Sequence, residues 1–554
     1  MADASYDAVV IGGGHHGLVV ACYLQDAGMS TVVLERQHEL GGAMCGDEYT
    51  LPGFLSNPCA HSTRFYIHPA YNDFKLPEKG LDLVFPELSE GMVFDNEKCL
   101  VPYHCYPVVD KATGRTEFDP KRLEKTFAQI ARFSERDAET IRYITEMWTK
   151  RWRDAWLDVY YNPPAPWGEK NAIEQLMDDP SSGIEPVWQF MTIYRLAYDL
   201  YESPEMRSDF IRTAQKSCIL HANEVIGIDQ LLGVIALGAG ITAHSIVIGG
   251  THAITHALQK ALTMMGGKFF VSSEIDRIIV ENETAKGVRL LDGTEIEAKK
   301  LVVSTVDPTQ TIVRFIGEEH VSHRIAHRAK TIDYGVGVLW GFVAMHEAPN
   351  YKAAAWNPDL LDMPKVLWGP TDPDYQRHKS QAEAYVYGYP KRLCINSGRD
   401  TPWDPTRAPK GKHIIAFEQF SAPASYFSER QWIKIKHEFF DHLIKQWGEY
   451  APNMTWDNVI AINCESSYDT AKRNINMIEG DTAVGKMVAS QMGRFRPFPE
   501  ISRYKIPPIK NLYLTGAATH HSGGTGRGNS YNCYKVIAGD LGLRKIWEEK
   551  GRRY

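Results

Sequence analysis

Apolar positions along the chain fall into runs whose period changes from segment to segment. Tyr6 to Ile11 is a short apolar run of the kind a buried strand needs, and it gives way to Gly12-Gly13-Gly14-His15-His16-Gly17 and then to helical spacing. A second apolar strand, Thr31 to Leu34, ends at Glu35. Leu100 to Val109, turning at Asp110 to Gly114 into Thr116 and Phe118, predicts a hairpin. From Asp119-Pro120 to about Tyr161 the signals are helical. Within that stretch Trp148, Trp152, Trp156 and Tyr160 recur every four residues, drift only about 40° per step and share one helix face. The stripe is either the buried face of a core helix or an interfacial face, one that dips into a membrane surface or lines the mouth of an apolar tunnel.

Ile246 to Gly250 opens a further block. A helix from Thr251 to about Met265 leads to strands at Lys268 to Val271 and Ile275 to Glu281, then to Gly287 to Leu291, a turn at Asp292-Gly293 and a return through Thr294 to Ala298. Leu301 to Ser304 reads as a separate short strand. Residues 330 to 465 are rich in Trp, Tyr and Pro and predict a second lobe, an antiparallel sheet with one covering helix from Glu429 to Trp447. Asn511 to Leu514 is a last strand, followed by a glycine-rich turn from Thr515 to Gly528 and an apolar helix to about Leu543. The fold class is α/β: a discontinuous Rossmann-type domain from 1–60, 246–310 and 500–546, and a second lobe from 61–245 and 311–499 with a mixed or antiparallel sheet and helices.

The chemistry sits first at the glycines. Gly12 permits a tight turn, Gly14 lets backbone approach a pyrophosphate, and Gly17 lets helix and strand pack closely. The phosphates then lie at a helix N-terminus, where unpaired N–H groups and the dipole favour negative charge. Glu35, eighteen residues past Gly17, is placed to accept hydrogen bonds from both hydroxyls of an adenosine ribose, so FAD or NAD fits and NADP is repelled. Gly41-Gly42, just after Glu35-Arg36, lets backbone pass beside the diphosphate and ribityl chain of an extended flavin cofactor. Gly238-Ala239-Gly240 lacks the third glycine and the acid of a second fingerprint, so no separate NADPH site is expected.

Composition removes other classes. The 44% hydrophobic and 23% charged residues are those of a globular protein too long for one small core, and the net charge of -7 carries no basic stripe suited to nucleic acid. Nine scattered cysteines form no CxxC pair, so free thiols are expected in place of redox-disulfide chemistry, and the 20 histidines offer no metal motif. No apolar stretch is long enough to span a bilayer. The first strand begins close to Met1, leaving no room for a cleavable leader, and a cytoplasmic location, with peripheral membrane contact through the Trp stripe, is the expectation. Oligomeric state leaves no signal.

Taken together, the Gly12 to Glu35 fingerprint, Leu40 to Ala43, Leu51-Pro52-Gly53-Phe54, Phe133 to Ala138, Gly249-Gly250, Asp292-Gly293-Thr294 and Asn511 to Gly516 resemble the phytoene desaturase-like FAD oxidoreductases. The likeness is strongest to the phytoene-dehydrogenase-related branch, with retinol saturases more distant. The resemblance implies an FAD lobe, a substrate lobe and a substrate cavity between them. It implies that Gly12, Gly14, His16 and Gly17 line the diphosphate, Glu35 and Arg36 the ribose, and Gly41, Gly42 and Ala43 the ribityl side. Ile275 would contact adenine, and Gly516, Gly524, Thr525, Gly526 and Arg527 would approach the flavin.

Departures fall where substrate identity is decided. His16 stands where relatives usually carry Asn, His521-Ser522 interrupt a turn that resembles Thr-His-Pro-Gly-Gly-Gly in relatives, and Asn57 to Arg64 replaces an apolar stretch. Two titratable histidines, His521 and His61, are therefore the candidate bases at the flavin face, with His520 matching the family's own histidine. The expected reaction moves a hydride from a substrate C–H to flavin N5, forming C=C, C=O or C=N on an apolar or aromatic-bearing small molecule. Oxygen, a quinone or another acceptor then takes the electrons. The alternatives are a redox-neutral flavin isomerase and a non-catalytic lipid-binding protein of the GDP-dissociation-inhibitor type.

Overall fold

The computed structural model describes residues 2–60, 63–88, 90–103, 108–109, 116–117, 119–238 and 245–554. Its first sheet is built around the strand Ala4–Ile11, whose inner residues Ala8 to Ile11 are buried. Parallel neighbours are Thr31–Leu34 on one side, with Lys268–Phe270 beyond it, and Glu295–Ser304 on the other, with Leu512–Leu514 beyond that. An antiparallel meander through Ile275–Glu281 and Thr284–Leu290 completes the sheet. Its strands thus come from the start, the middle and the end of the chain.

One correction concerns Glu295–Ser304. The sequence reads as two strands there because Lys299 and Lys300 interrupt the apolar pattern. A single strand spans them, its first half paired with Thr284–Leu290 and its last residues with Leu512–Leu514; at the exposed lysines its register against Ala4–Ile11 shifts, Tyr6 facing Ala298 and Ala8 facing Leu301.

The helix His15–Asp26 is buried from His15 to Leu24, packed between the sheet and the helices His252–Met264 and Asn529–Leu541. That all-round burial explains why its sequence shows little amphipathic contrast. The second sheet runs in the order Val459–Glu465, Gly337–Met345, His413–Ser421, Ile395–Arg399, Lys365–Gly369, Glu90–Phe94 and Cys99–Leu100. It is antiparallel except where Glu90–Phe94 joins Lys365–Gly369 in parallel. The helix Glu429–Tyr450 covers one face through Trp432, Phe439, Leu443 and Trp447, as the sequence predicts.

Helices Pro120–Ala131, Glu135–Met147 and Arg153–Tyr160, the last two joined by a π-helical turn at Trp148–Trp152, form part of a helical layer beside the sheets. Trp148, Trp152, Trp156 and Tyr160 are all buried, and the Trp152 indole donates to the Ser182 carbonyl at 2.8 Å. The wider π turn offsets the 40° drift that the α-helical reading carries. An aromatic face so enclosed is not a membrane-facing one. No helix among the described residues is long and apolar enough to cross a membrane. Strands Val108–Val109 and Thr116–Glu117 pair as the predicted hairpin, whose turn lies outside the described residues.

Candidate active site

A cavity of about 500 Å³ runs from the glycine turn of the first sheet to the face of the second. At its nucleotide end, Gly12 turns with φ +99°, and a Cβ there would lie 2.3 Å from the Thr305 hydroxyl. Gly17 is tighter: a Cβ would lie 1.9 Å from the Gly12 carbonyl oxygen, so the helix can sit on the turn only without a side chain. The helix starts from Gly14 with no side-chain cap, which leaves its first N–H groups directed toward the cavity. Gly41 donates its N–H to the Gly13 carbonyl at 3.0 Å, and Gly42 comes so near Gly14 that a Cβ would lie 3.0 Å from the Gly14 Cα. The two glycine loops therefore pack backbone on backbone.

Glu35 is buried and lines the cavity. One carboxylate oxygen accepts from the Gly13 N–H at 2.7 Å and the other from the Gln37 N–H at 2.8 Å. The acid thus fixes the glycine turn and keeps lone pairs for a ligand hydroxyl. Arg36, Gly42, Ala43 and Ile275 share that wall. His15 and His16 also line it, and each has a buried Nε2 with no hydrogen-bond partner. Burial pushes His15 down to about 4 and His16 well below the usual imidazole range. Both are neutral and each can hydrogen-bond a ligand. This donor and acceptor set, with two backbones laid open by glycine, fits an adenine dinucleotide.

The C-terminal turn closes the middle of the cavity with Ala517, Gly523, Gly524, Thr525, Gly526 and Arg527. Gly524 and Gly526 have positive φ, and a Cβ on Gly526 would lie 2.9 Å from the Arg64 carbonyl oxygen. Gly516 is not on the wall; its φ of +104° presses it onto the Thr305 carbonyl, where a Cβ would lie at 2.6 Å. Arg527 is 9% exposed and donates to the Ser522 hydroxyl at 2.6 Å, with its guanidinium over the Tyr160 ring.

Two of the expected histidines, His520 and His521, lie off the cavity wall. His521 is fully buried behind the wall, its Nε2 3.0 Å from the Asp229 carbonyl and its Nδ1 3.3 Å from the Arg527 guanidinium. Burial first, then the charges of its neighbours, push its pKa well below the usual range. His520 is held 2.8 Å from the Val159 carbonyl and is pushed down to about 4 by burial. Neither lines the cavity. His61 lies outside the described residues.

Beyond the turn, the wall changes character. Trp156 and Tyr160 bring the aromatic stripe to it, so the tunnel-lining version of that reading describes these two residues. Lys216, Lys365, Asn396 and Glu418 also line it, with Arg64 and Arg473. Lys365 and Glu418 are not prominent in the sequence, because each sits singly in an otherwise apolar strand, and Lys216 lies in a buried helix. The available signal was a charged residue inside a strand such as His413–Ser421. The eight described cysteines are free, Cys59 lines the cavity with its thiol pushed up to about 12 by burial, and no metal-binding cluster occurs among the described residues.

Fold and cavity together define a two-lobed enzyme on a Rossmann-type dinucleotide scaffold. Residues 10–74 match the NAD(P)-binding Rossmann-like domain family. Over 98% of its length the chain is 27% identical to a limonene dehydrogenase component from Castellaniella defragrans, covering 96% of that protein. Phytoene desaturase (neurosporene-forming) of Rhodobacter capsulatus is 25% identical, over 73% of this chain and 70% of that one. Among solved structures, cyclohexylamine oxidase from Brevibacterium oxydans shares the fold with a TM-score of 0.56 at 14% identity, over 97% of this chain and 99% of that one. The chain is an oxidoreductase homologous to the phytoene desaturases and to limonene dehydrogenase. These relatives favour the catalytic reading over a lipid carrier.

Proposed function

We propose that the chain is an FAD-dependent oxidoreductase that removes a hydride from a C–H bond of a small molecule seated between Trp156, Tyr160 and the face of the second sheet. The observation that carries this is the continuity of one cavity, from Glu35 and the glycine turn, past Gly523 to Arg527, to a chamber lined by aromatic and charged side chains. Gly12, Gly14, His15 and His16 would hold the diphosphate, Glu35 the ribose, Ile275 the adenine, and Gly524 to Arg527 the flavin ring. Bound there, FAD supplies a two-electron acceptor that no side chain offers.

The chain's own residues supply the rest. Arg527 presents a fixed positive charge, and His521, neutral and hydrogen-bonded to both Arg527 and Asp229, acts as a positioning residue. Trp156 and Tyr160 exclude water and orient the substrate. Glu418, with one carboxylate oxygen held by Asn396 at 2.7 Å, is the wall carboxylate suited to take a proton when the substrate also loses an O–H or N–H hydrogen.

The test is anaerobic addition of a panel of alcohols, amines, acids and alkenes to the purified protein, read at the flavin absorbance. Bleaching that persists until oxygen or a quinone is admitted is the expected result for at least one compound. Turnover with the flavin oxidised throughout would instead mark a redox-neutral isomerase. Glu418→Gln is expected to slow bleaching by about 100-fold; an unchanged rate removes Glu418 as the base.

A further inference from the structure

The far end of the cavity is charged in a way that a hydrocarbon substrate would not use. In the second sheet, Glu90 pairs with Lys365, Leu367 with Asn396, and Asn396 with Glu418. Residues directly opposite in a ladder, and residues two apart in a strand, share a face. Glu90, Lys365, Asn396 and Glu418 therefore form one polar band across the floor. From above, Lys216 of the helix Pro204–Cys218 reaches down and donates to Glu90 Oε1, while Lys365 Nζ stands 3.9 Å from Glu90 Oε2.

One carboxylate thus lies between two ammonium groups, and all three side chains are 11–12% exposed. Burial pushes Glu90 up, but the two lysines, Lys216 foremost, more than offset it and keep the carboxyl below its usual range. The ion contact with Glu90 is the one polar contact of the Lys365 ammonium among the described residues. Arg64, whose charge also acts on Glu90, lines the same cavity, and its buried Nε has no hydrogen-bond partner. This end carries three cationic side chains, Arg64, Lys216 and Lys365, against two carboxylates, Glu90 and Glu418, while Arg473 on the same wall is already paired with Glu465 at 3.1 Å. Buried positive charge without a matching anion is costly, and here the excess faces the cavity.

We propose that this end is an anion subsite in which Lys365 and Lys216, with Arg64 beside them, receive a carboxylate carried by the substrate. The proposal rests on the oxidoreductase reading above and narrows its substrate class to acids. The phosphates of the dinucleotide belong at the opposite end, beside Gly12 to His16, and do not neutralise the lysines. A ligand without the acid leaves charged donors unpaired, which is how a polar site rejects a near-isostere.

The experiment is calorimetric titration of the protein as purified with 4-phenylbutyrate and with its amide, 4-phenylbutyramide, at one ionic strength. The acid is expected to bind at least about 10-fold more tightly than the amide. Lys365→Met should abolish the preference while far-ultraviolet circular dichroism and flavin content stay those of the parent chain. Equal binding of acid and amide, binding of neither, or a preference that survives Lys365→Met in a folded protein would overturn the proposal. The wild-type comparison stands without the variant, should the variant fold poorly. Flavin released by acid is measured on the same sample. A protein without flavin that still prefers the acid counts against the flavin reading alone, and a flavin-loaded protein that makes no distinction counts against the subsite alone.

Discussion

A methyl group on Gly17 has nowhere to go, since it would lie 1.9 Å from a backbone oxygen that belongs to the turn it packs against. Gly17→Ala must therefore push the helix His15–Asp26 off the strand end. It is expected to destabilise the protein by about 3 kcal/mol in urea unfolding and to lower its flavin content. Glu35→Gln acts on the ligand as well as on the turn, because the carboxylate holds two backbone N–H groups and faces the cavity. Flavin affinity is expected to fall about 10-fold or more, measured by fluorescence on rebinding FAD to the stripped protein. These residues were legible because their geometry is local: strand, glycine, helix and acid follow one another within a short segment. Lys365, Asn396 and Glu418 were not legible. They become neighbours only through the register of three successive strands and the loops between them, which no period along the chain discloses. His521 was misleading for a related reason. Its place next to a flavin-type turn made it a candidate base, but the turn folds its ring inward against Asp229, Arg527 and Tyr160.

At the scale of elements, the junction between the helices Arg153–Tyr160 and Ile228–Gly238 shapes the aromatic part of the cavity wall. Gly233 lies under Trp156, and a Cβ on it would lie 2.6 Å from the indole nitrogen, which has no hydrogen-bond partner to hold it back. Gly233→Ala is expected to move the indole toward the cavity, raising KM for the best substrate by about 5-fold or more with flavin content unchanged. Steady-state kinetics on the holoenzyme reads this, and an unaltered KM would mean the indole does not shape the chamber. The aromatic spacing announced a buried face but not what it meets, since a four-residue period is the same for a core stripe and a cavity wall. The lysine pair inside Glu295–Ser304 likewise hid the continuity of a strand that links the meander to the central strand and to Leu512–Leu514.

For the whole molecule, buried titratable groups set the response to acid. His15, His68 and His520 are pushed down to about 4, 3 and 4 by burial, His221 to about 3, and His16 and His521 well below the normal range. As pH falls below about 6.5 an unfolded chain protonates these rings and the folded one does not, so their contribution to stability is complete above that pH and is lost on acidification. Four buried aspartates, one of them Asp481, and Glu465 are pushed up by burial and oppose this. Asp209 and Asp229 are raised to about 7 and Asp307 to about 6, again by burial, and each favours the folded state increasingly as pH falls. With His256, His413 and His442, also pushed down by burial, nine histidines outnumber five acids, so the melting temperature is expected to fall between pH 6.5 and pH 4.5. A melting temperature that rises over that interval would mean the rings are charged in the folded protein.

The cofactor is the claim on which the rest depends, and flavin analysis reads it most directly. Acid precipitation of the protein purified without added cofactor, followed by chromatography of the supernatant, should yield FAD at about one per chain. It should yield none from a Glu35 and Gly17 double variant that remains folded. Release of NAD, release of FMN, or a protein that is colourless and cannot be reconstituted with FAD would contradict it.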